Sequence, residues 1–365
     1  QNSFYGSDFY EAKQSISYAN LLWDKVLGNH NLIVGATSRF QNYDDNTVAT
    51  PQKDKQFIPG VFVQNEWNPT NKMTFLTGTR FDHYTSHGLI VAPRLNAKYK
   101  SSDWTTFRLN FGTGFRIVNL FTEDHAFITG QRTVEILEEL KPERSWNAAL
   151  NFNHIYNIGN SQGSFDFDVF YTYFTNKIVP DYGTPNKIIY GNSNGHAVSQ
   201  GIGMNVTHSF MIPLSINAGF TFQRVTQTEP DAENKMTTTD IEYAPKYTSI
   251  ATVNYDWKKP GLTLAYTFRL TGPMALPEVF DFDENGQLKG EPRPTKSAVF
   301  SFHNFQVSKD FKKGFGLYLG VQNIFDFRQE ISPLVGFNDP NASPGFSDNF
   351  DTAYAYSPIH GREIY

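Results

Sequence analysis

The chain reads as all-β, a transmembrane antiparallel β-barrel, and three observations predict it. Short stretches alternate apolar and polar residues with period two along nearly the whole length. Rings carry the apolar load: there are 33 Phe and 19 Tyr in 365 residues, aromatics reach 16%, and hydrophobic content is only 39%. The connections sort almost alternately into tight turns and long loops. A soluble β-sandwich is the blander reading, but its Greek-key crossings would not sort connections this way. Lipid-facing bands and interfacial girdles are where aromatic side chains concentrate.

Taken in order, the alternation predicts strands near 14–24, 30–40, 56–67, 71–83, 89–100, 104–114, 145–157, 164–177, 187–208, 213–225, 246–257, 261–271, 297–309 and 315–327, with another beginning at 361–365. The clearest are 104–114 and 145–156. In the first, Phe107, Leu109 and Phe111 oppose Thr106, Arg108, Asn110 and Gly112. In the second, Trp146, Ala148, Leu150, Phe152 and Tyr156 oppose Asn147, Asn151 and Asn153. In 89–100, Leu89, Val91, Leu95, Ala97 and Tyr99 oppose Arg94, Asn96, Lys98 and Lys100, and in 165–174 Asp166 and Asp168 oppose Phe165, Phe167 and Val169. An Arg or Lys facing lipid near the midplane costs about 2–4 kcal/mol. Arg94, Asp166 and Asp168 are therefore expected to face a wet interior.

Turn-like connections fall at Asp24–His30, Asn68–Asn71, Ser101–Asp103, Gly159–Gly163, Lys258–Gly261 and Asp310–Gly314. Long ones fall at 41–55, 115–143, 178–186, 226–245, 272–296 and 328–360, with 84–88 a short exception. Tight turns at one rim and long loops at the other match periplasmic turns and extracellular loops. By that parity 1–13 is an outer loop. Single-chain barrels have even strand numbers, so fifteen starts predict that upward strands precede Gln1. GREIY supplies only half of the ~10 residues a crossing strand needs.

The formal charge of −5 and the lack of a dense Lys/Arg run give no footprint for nucleic acid. No apolar stretch is long enough for a spanning helix. Without Cys there is no thiol catalysis, iron–sulfur ligation or zinc finger. HEXXH is absent and the histidines are scattered among the strands, so no enzyme is expected. QNSFYGSDFYEAK is not a signal peptide, which predicts a processed or partial chain.

APRLNAKY (92–99), WTTFRLNFGTGFRIVNLFTED (104–124), ELKPERSWN (139–147), GVQNIFDFRQ (320–329) and PIHGREIY (358–365) together resemble the TonB-dependent outer-membrane receptors, in a style similar to those of Bacteroidetes. The resemblance implies a 22-stranded barrel around an N-terminal plug. Residues 1–365 would then be its C-terminal two-thirds, about strands 8–22, with plug and first strands missing and the last strand cut short. It implies import of a scarce metal chelate or cofactor (ferric siderophore, haem or cobalamin) driven by TonB–ExbB–ExbD, with outer-membrane lipid around the wall and no cofactor of its own. Two rivals are a glycan or peptide importer working with a surface lipoprotein, and a passive porin-like channel. PIHGREIY departs from the glycan-importer terminus, and the family motifs count against a porin.

Loop 115–143 is the expected ligand contact, with Arg116, Asn119, Glu123, Asp124, His125 and Arg132 as candidates, because binding residues concentrate on loops over a rigid scaffold. Its FRIV and ELKPE segments lie where haem receptors of the family carry FRAP and NPNL boxes. Val118 stands in place of Pro, and Leu137–Leu140 replaces the Asn-Pro start of the second box. His125 as a metal ligand is weighed against an ordinary solvated histidine. Asp281, Asp283 and Asn285 with Gly286 open like a Ca²⁺ loop, but Pro292 stands at the closing position, and Asn-Gly equally makes a tight turn. The turn is preferred. Phe4, Tyr5, Phe9 and Tyr10 read as an outer aromatic girdle, and EPRP (291–294) as a loop stiffener.

Overall fold

Alternating residues pair edge to edge into wall. A computed structural model describes residues 2–5, 8–45, 54–117, 133–178, 180–181, 187–231, 233–283, 288–311, 314–333 and 354–365, and among these no residue is helical. The strands are β1 (Asn2–Tyr5), β2 (Asp8–Leu27), β3 (His30–Asp45), β4 (Asp54–Thr70), β5 (Met73–Tyr84), β6 (Gly88–Lys100), β7 (Thr105–Arg116), β8 (Thr133–Ile136), β9 (Glu143–Ile158), β10 (Ser161–Asn176), β11 (Lys187–Tyr190), β12 (His196–Ser209), β13 (Leu214–Pro230), β14 (Met236–Asp240), β15 (Tyr247–Trp257), β16 (Leu262–Thr271), β17 (Phe280–Phe282), β18 (Leu288–Pro292), β19 (Phe300–Asp310), β20 (Gly316–Gln322) and β21 (Glu363–Ile364).

One sheet of 17 strands forms the wall. Its staves run β2, β3, β4, β5, β6, β7, β9, β10, β12, β13, β15, β16, β19, β20 and β21, each antiparallel to the next, while β1 folds onto β2 and β14 onto β13. Among the described residues β2 pairs with β1 and β3, and β21 with β20, so this length of wall does not close on itself. The largest staves, β2 at 20 residues and β4 and β13 at 17, exceed the 9–11 a crossing needs and extend past the bilayer.

The two faces differ as the alternation predicts. On one, Arg108 Nη1 donates to Asn151 Oδ1 at 2.8 Å, and Asn151 Nδ2 donates to Asp168 Oδ1 at 2.9 Å. Asn153 Nδ2 meets Asp166 Oδ1 at 2.9 Å, and Asn147 Nδ2 meets Thr172 Oγ1 at 2.8 Å. These polar rungs cross three staves and satisfy groups that lipid would leave unpaired. On the other face Phe107 packs on Phe152 at 5.2 Å between ring centres, and Phe111 stacks on Trp146 at 5.6 Å. Leu95, Leu109, Leu150 and Val169 stand exposed on that face. It is the lipid side.

Four of the five tryptophans, Trp23, Trp67, Trp104 and Trp257, are exposed close to short turns. Beside them His30 stacks on Trp67, Trp67 on Phe75, and His208 on Tyr156. That is an interfacial aromatic belt. The hairpins below it are tight: Gly28 has φ +58° and Gly159 φ +60°, each followed by an Asn without positive φ. Positive φ at the first central residue alone marks a type II′ turn, which suits strand twist.

Three expectations are corrected. The span 187–208 is not one strand: Lys187–Tyr190 leaves the wall to pair in parallel with Thr133–Ile136, and the stave begins at His196. Residues 2–5 and 8–13 are not loop but a hairpin continuing the wall. The strand expected to reach 327 stops at Gln322, because Asn323 (φ 49°) turns the chain. The Asn323 side chain bonds both the N–H and the carbonyl of Phe327 at 2.9 Å, and an Asn tolerates the left-handed region where most residues do not. The side chains of Phe4, Tyr5, Phe9 and Tyr10 lie outside the described residues.

Candidate functional site

Two groups of ordered structure stand on the long-loop rim. The first is built on Glu143, the first residue of β9, which is 4% exposed. Its carboxylate accepts from Arg116 Nε at 2.7 Å, Lys177 Nζ at 3.0 Å and the Ile178 N–H at 2.8 Å. One anion thus ties the ends of β7, β9 and β10, the roots of two outer loops. Asn176 and Asn192 extend the lacing. Asn176 donates to the Lys141 carbonyl and accepts from Ser193 N–H, while Asn192 accepts from Lys141 N–H at 2.7 Å and donates to the Glu139 carbonyl at 2.9 Å. The β8–β11 ribbon, with Lys187 on Glu135, completes the joint. Beside it opens a cleft of about 580 Å³, lined by His87, Glu138, Glu139, Lys141, Arg144 and Asn176 among others.

The second group joins later loops into a cap. Met274, Leu276, Val279, Phe300 and Tyr354 form a buried cluster, with Phe302, Phe327, Ile331 and Tyr356 packed against it. Arg293 is buried beside it, its side chain 7% exposed. Its Nη2 and Nε donate to Asp281 Oδ1 at 2.6 and 3.1 Å, Nη1 donates to the Ser332 carbonyl at 2.6 Å, and the guanidinium lies 5.0 Å from the Tyr354 ring centre. Tyr354 in turn donates to the Pro294 carbonyl at 2.7 Å, and burial pushes its phenol above the ordinary value. At the tip of the β13–β14 hairpin, the Lys235 N–H, then the Glu233 N–H and Thr237 hydroxyl, hold the Asp231 carboxyl below its ordinary range.

Of the residues singled out from sequence, Arg116 belongs to the Glu143 joint. Asn119, Glu123, Asp124, His125 and Arg132 lie outside the described residues. Asp281 has its carboxylate on Arg293, in a strand of the β17–β18 ribbon, and Asp283 follows it; Asn285 lies outside the described residues. Phe280 and Phe282 pair antiparallel with Pro292 and Leu288, and the Asn285-Gly286 pair lies outside the described residues. Sequence reasoning missed Glu143 as an anchor, Asn176, Asn192 and the Arg293–Tyr354 contact. EPRP held a clue, since prolines on both sides fix the backbone that presents Arg293.

The family model for TonB dependent receptor-like β-barrels matches residues 1–324. The chain belongs to this family. Its fold is shared by solved receptors at low identity. The ferric enterobactin receptor of Pseudomonas aeruginosa, solved with enterobactin, is 16% identical with a TM-score of 0.68, over 98% of this chain and 54% of that one. A siderophore receptor from Acinetobacter baumannii is 18% identical (TM-score 0.62, 87% and 51%), and the FrpB iron transporter of Neisseria meningitidis 14% (0.63, 87% and 52%). The chain thus spans about half the length of these neighbours. No curated protein matches it in sequence. The family and its solved neighbours are outer-membrane receptors and transporters rather than enzymes.

Proposed function

We propose that this TonB-dependent receptor barrel serves the import of a ferric siderophore, energised by TonB–ExbB–ExbD. The observation that carries the reading is the cleft at the long-loop rim. Its volume falls within the ~300–1,000 Å³ of small-molecule sites, and its lining sets Lys141 and Arg144, two cations for an anionic chelate, beside Glu138, Glu139, Asn176 and His87. The fold likeness to siderophore receptors supports the same class. In this reading the loops capture the chelate, the barrel makes and breaks no bonds, and energy from TonB opens the path.

The test is growth of an iron-starved strain lacking the full-length gene, fed one iron source at a time. Loss of growth on a ferric catecholate siderophore, with growth on haem retained, is the expected result. Loss on haem alone contradicts it. Lys141→Glu with Arg144→Glu should raise the half-saturating chelate concentration about tenfold, equivalent to about 1.4 kcal/mol.

A further inference from the structure

Charge is distributed unevenly between the two rims. Among the described residues every ion pair made by a Lys or Arg lies in the long-loop half: Arg80–Asp82, Arg116–Glu143, Lys187–Glu135, Lys246–Asp240 and Arg293–Asp281 are examples. At the short-turn rim the described cations are in none of these pairs. Lys25, Lys72, Lys258, Lys259 and Lys309 are exposed or half-exposed and take part in none of the ion pairs of the described residues. Two of them stand on the lipid side. Lys25 is opposite Leu32, and Lys309 is opposite both Leu262 and Leu317, and directly opposed residues share a face. Lys309 Nζ sits 5.3 Å from the Phe311 ring centre, in the same belt as Trp257 and Trp67. Lys72, Lys258 and Lys259 occupy the turns just below.

We propose that this rim binds anionic phospholipid headgroups of the leaflet that meets the short turns. An ammonium on a flexible stem beside a belt aromatic places its charge at headgroup depth while its methylenes stay against acyl chain. A basic residue near an anionic surface attracts it by a factor of up to about five at low salt, fading beyond a Debye length. The belt position of Lys25 and Lys309 favours lipid over a soluble acidic protein, which could reach the turns but not the outward face of the staves. This inference goes beyond the import reading and is independent of which chelate is carried.

The experiment reconstitutes the full-length protein into phosphatidylcholine vesicles containing brominated phosphatidylglycerol or brominated phosphatidylcholine, and reads quenching of tryptophan fluorescence. Stronger quenching by the brominated anionic lipid, reduced several-fold by salt, is expected. The K25Q/K72Q/K258Q/K259Q/K309Q variant should quench equally with both lipids, while an outer-loop control, K55Q/K235Q/K289Q/K296Q, keeps the preference. Heat-modifiable migration on gels verifies folding, and if the five-site variant does not fold, K25Q/K309Q replaces it, with a partial loss of preference expected. Equal quenching of the parent by both lipids overturns the proposal, as does a preference that survives the substitutions. Binding of polyglutamate through the same lysines without lipid preference assigns the rim to an acidic protein and also overturns it.

Discussion

Glu143 and Arg293 each do at one position what several residues do elsewhere. With Glu143 truncated, Arg116 and Lys177 lose their common counter-charge and the Ile178 N–H loses its acceptor. A buried partner left unsatisfied costs about 1–3 kcal/mol, and the loss falls on the roots of the outer loops rather than on the wall. Glu143→Ala is therefore expected to speed tryptic nicking between Arg116 and Glu143 on intact cells, with heat-modifiability of the barrel unchanged. Unaltered nicking argues that the joint is incidental. At Arg293 the planar fork reaches a carboxylate and a carbonyl while lying against a ring, a combination one ammonium does not reproduce. Arg293→Lys should loosen the cap nearly as much as Arg293→Ala, read as faster hydrogen exchange at the Tyr356 amide, which is bonded to Gln329 Oε1. Full protection in the lysine variant would reduce Arg293 to a point charge.

Among the elements, staves were legible and loops were not. A stave is recognisable by itself, because a period of two sustained over ten or more residues fits a half-wet strand and neither a helix nor a loop. Val34, Phe107 and Val169 announce their face without reference to any neighbour. The outer ribbons have strands of only three to five residues, and one pairs across great sequence distance, Thr133–Ile136 with Lys187–Tyr190. Their alternation blends into the adjoining stave, which is why 187–208 reads as continuous. The break is Gly191–Gly195, where the two pieces diverge. A Cβ on Gly195 would sit 1.7 Å from the Thr228 carbonyl oxygen, backbone that has nowhere to go, whereas one on Gly159 meets nothing within 4 Å. Gly159→Ala should cost only its left-handed strain, roughly 1–2 kcal/mol. Gly195→Ala should lower the temperature of the gel-mobility transition further than Gly159→Ala. The reverse order would mean that the β12–β13 register near Gly195 yields to the added methyl.

For the whole molecule, one asymmetry runs across the wall and another along it. Across the wall, rings and aliphatics face one way and the rungs of Arg108, Asn151 and Asp168 the other. Along it, paired charges and ordered loops gather at one rim, and belt tryptophans with lysines outside those pairs at the opposite rim. Family and fold were both readable from these patterns together with the motifs near the end of the chain, since Asn323, Asp326 and Arg362 meet there: the Arg362 N–H donates to Asp326 at 2.7 Å. The ligand was not readable, because loop residues obey no period. Everything proposed for transport depends on the wall having one face in lipid and one in water. The chain has no cysteine, so spin labels placed singly at 107 to 111 and at 150, 151, 168 and 169 in the reconstituted full-length protein report that directly. Labels at 107, 109, 111, 150 and 169 should be open to oxygen and shielded from a water-soluble nickel chelate, with 108, 110, 151 and 168 the reverse; accessibility that does not alternate, or alternates in the opposite sense, contradicts the account.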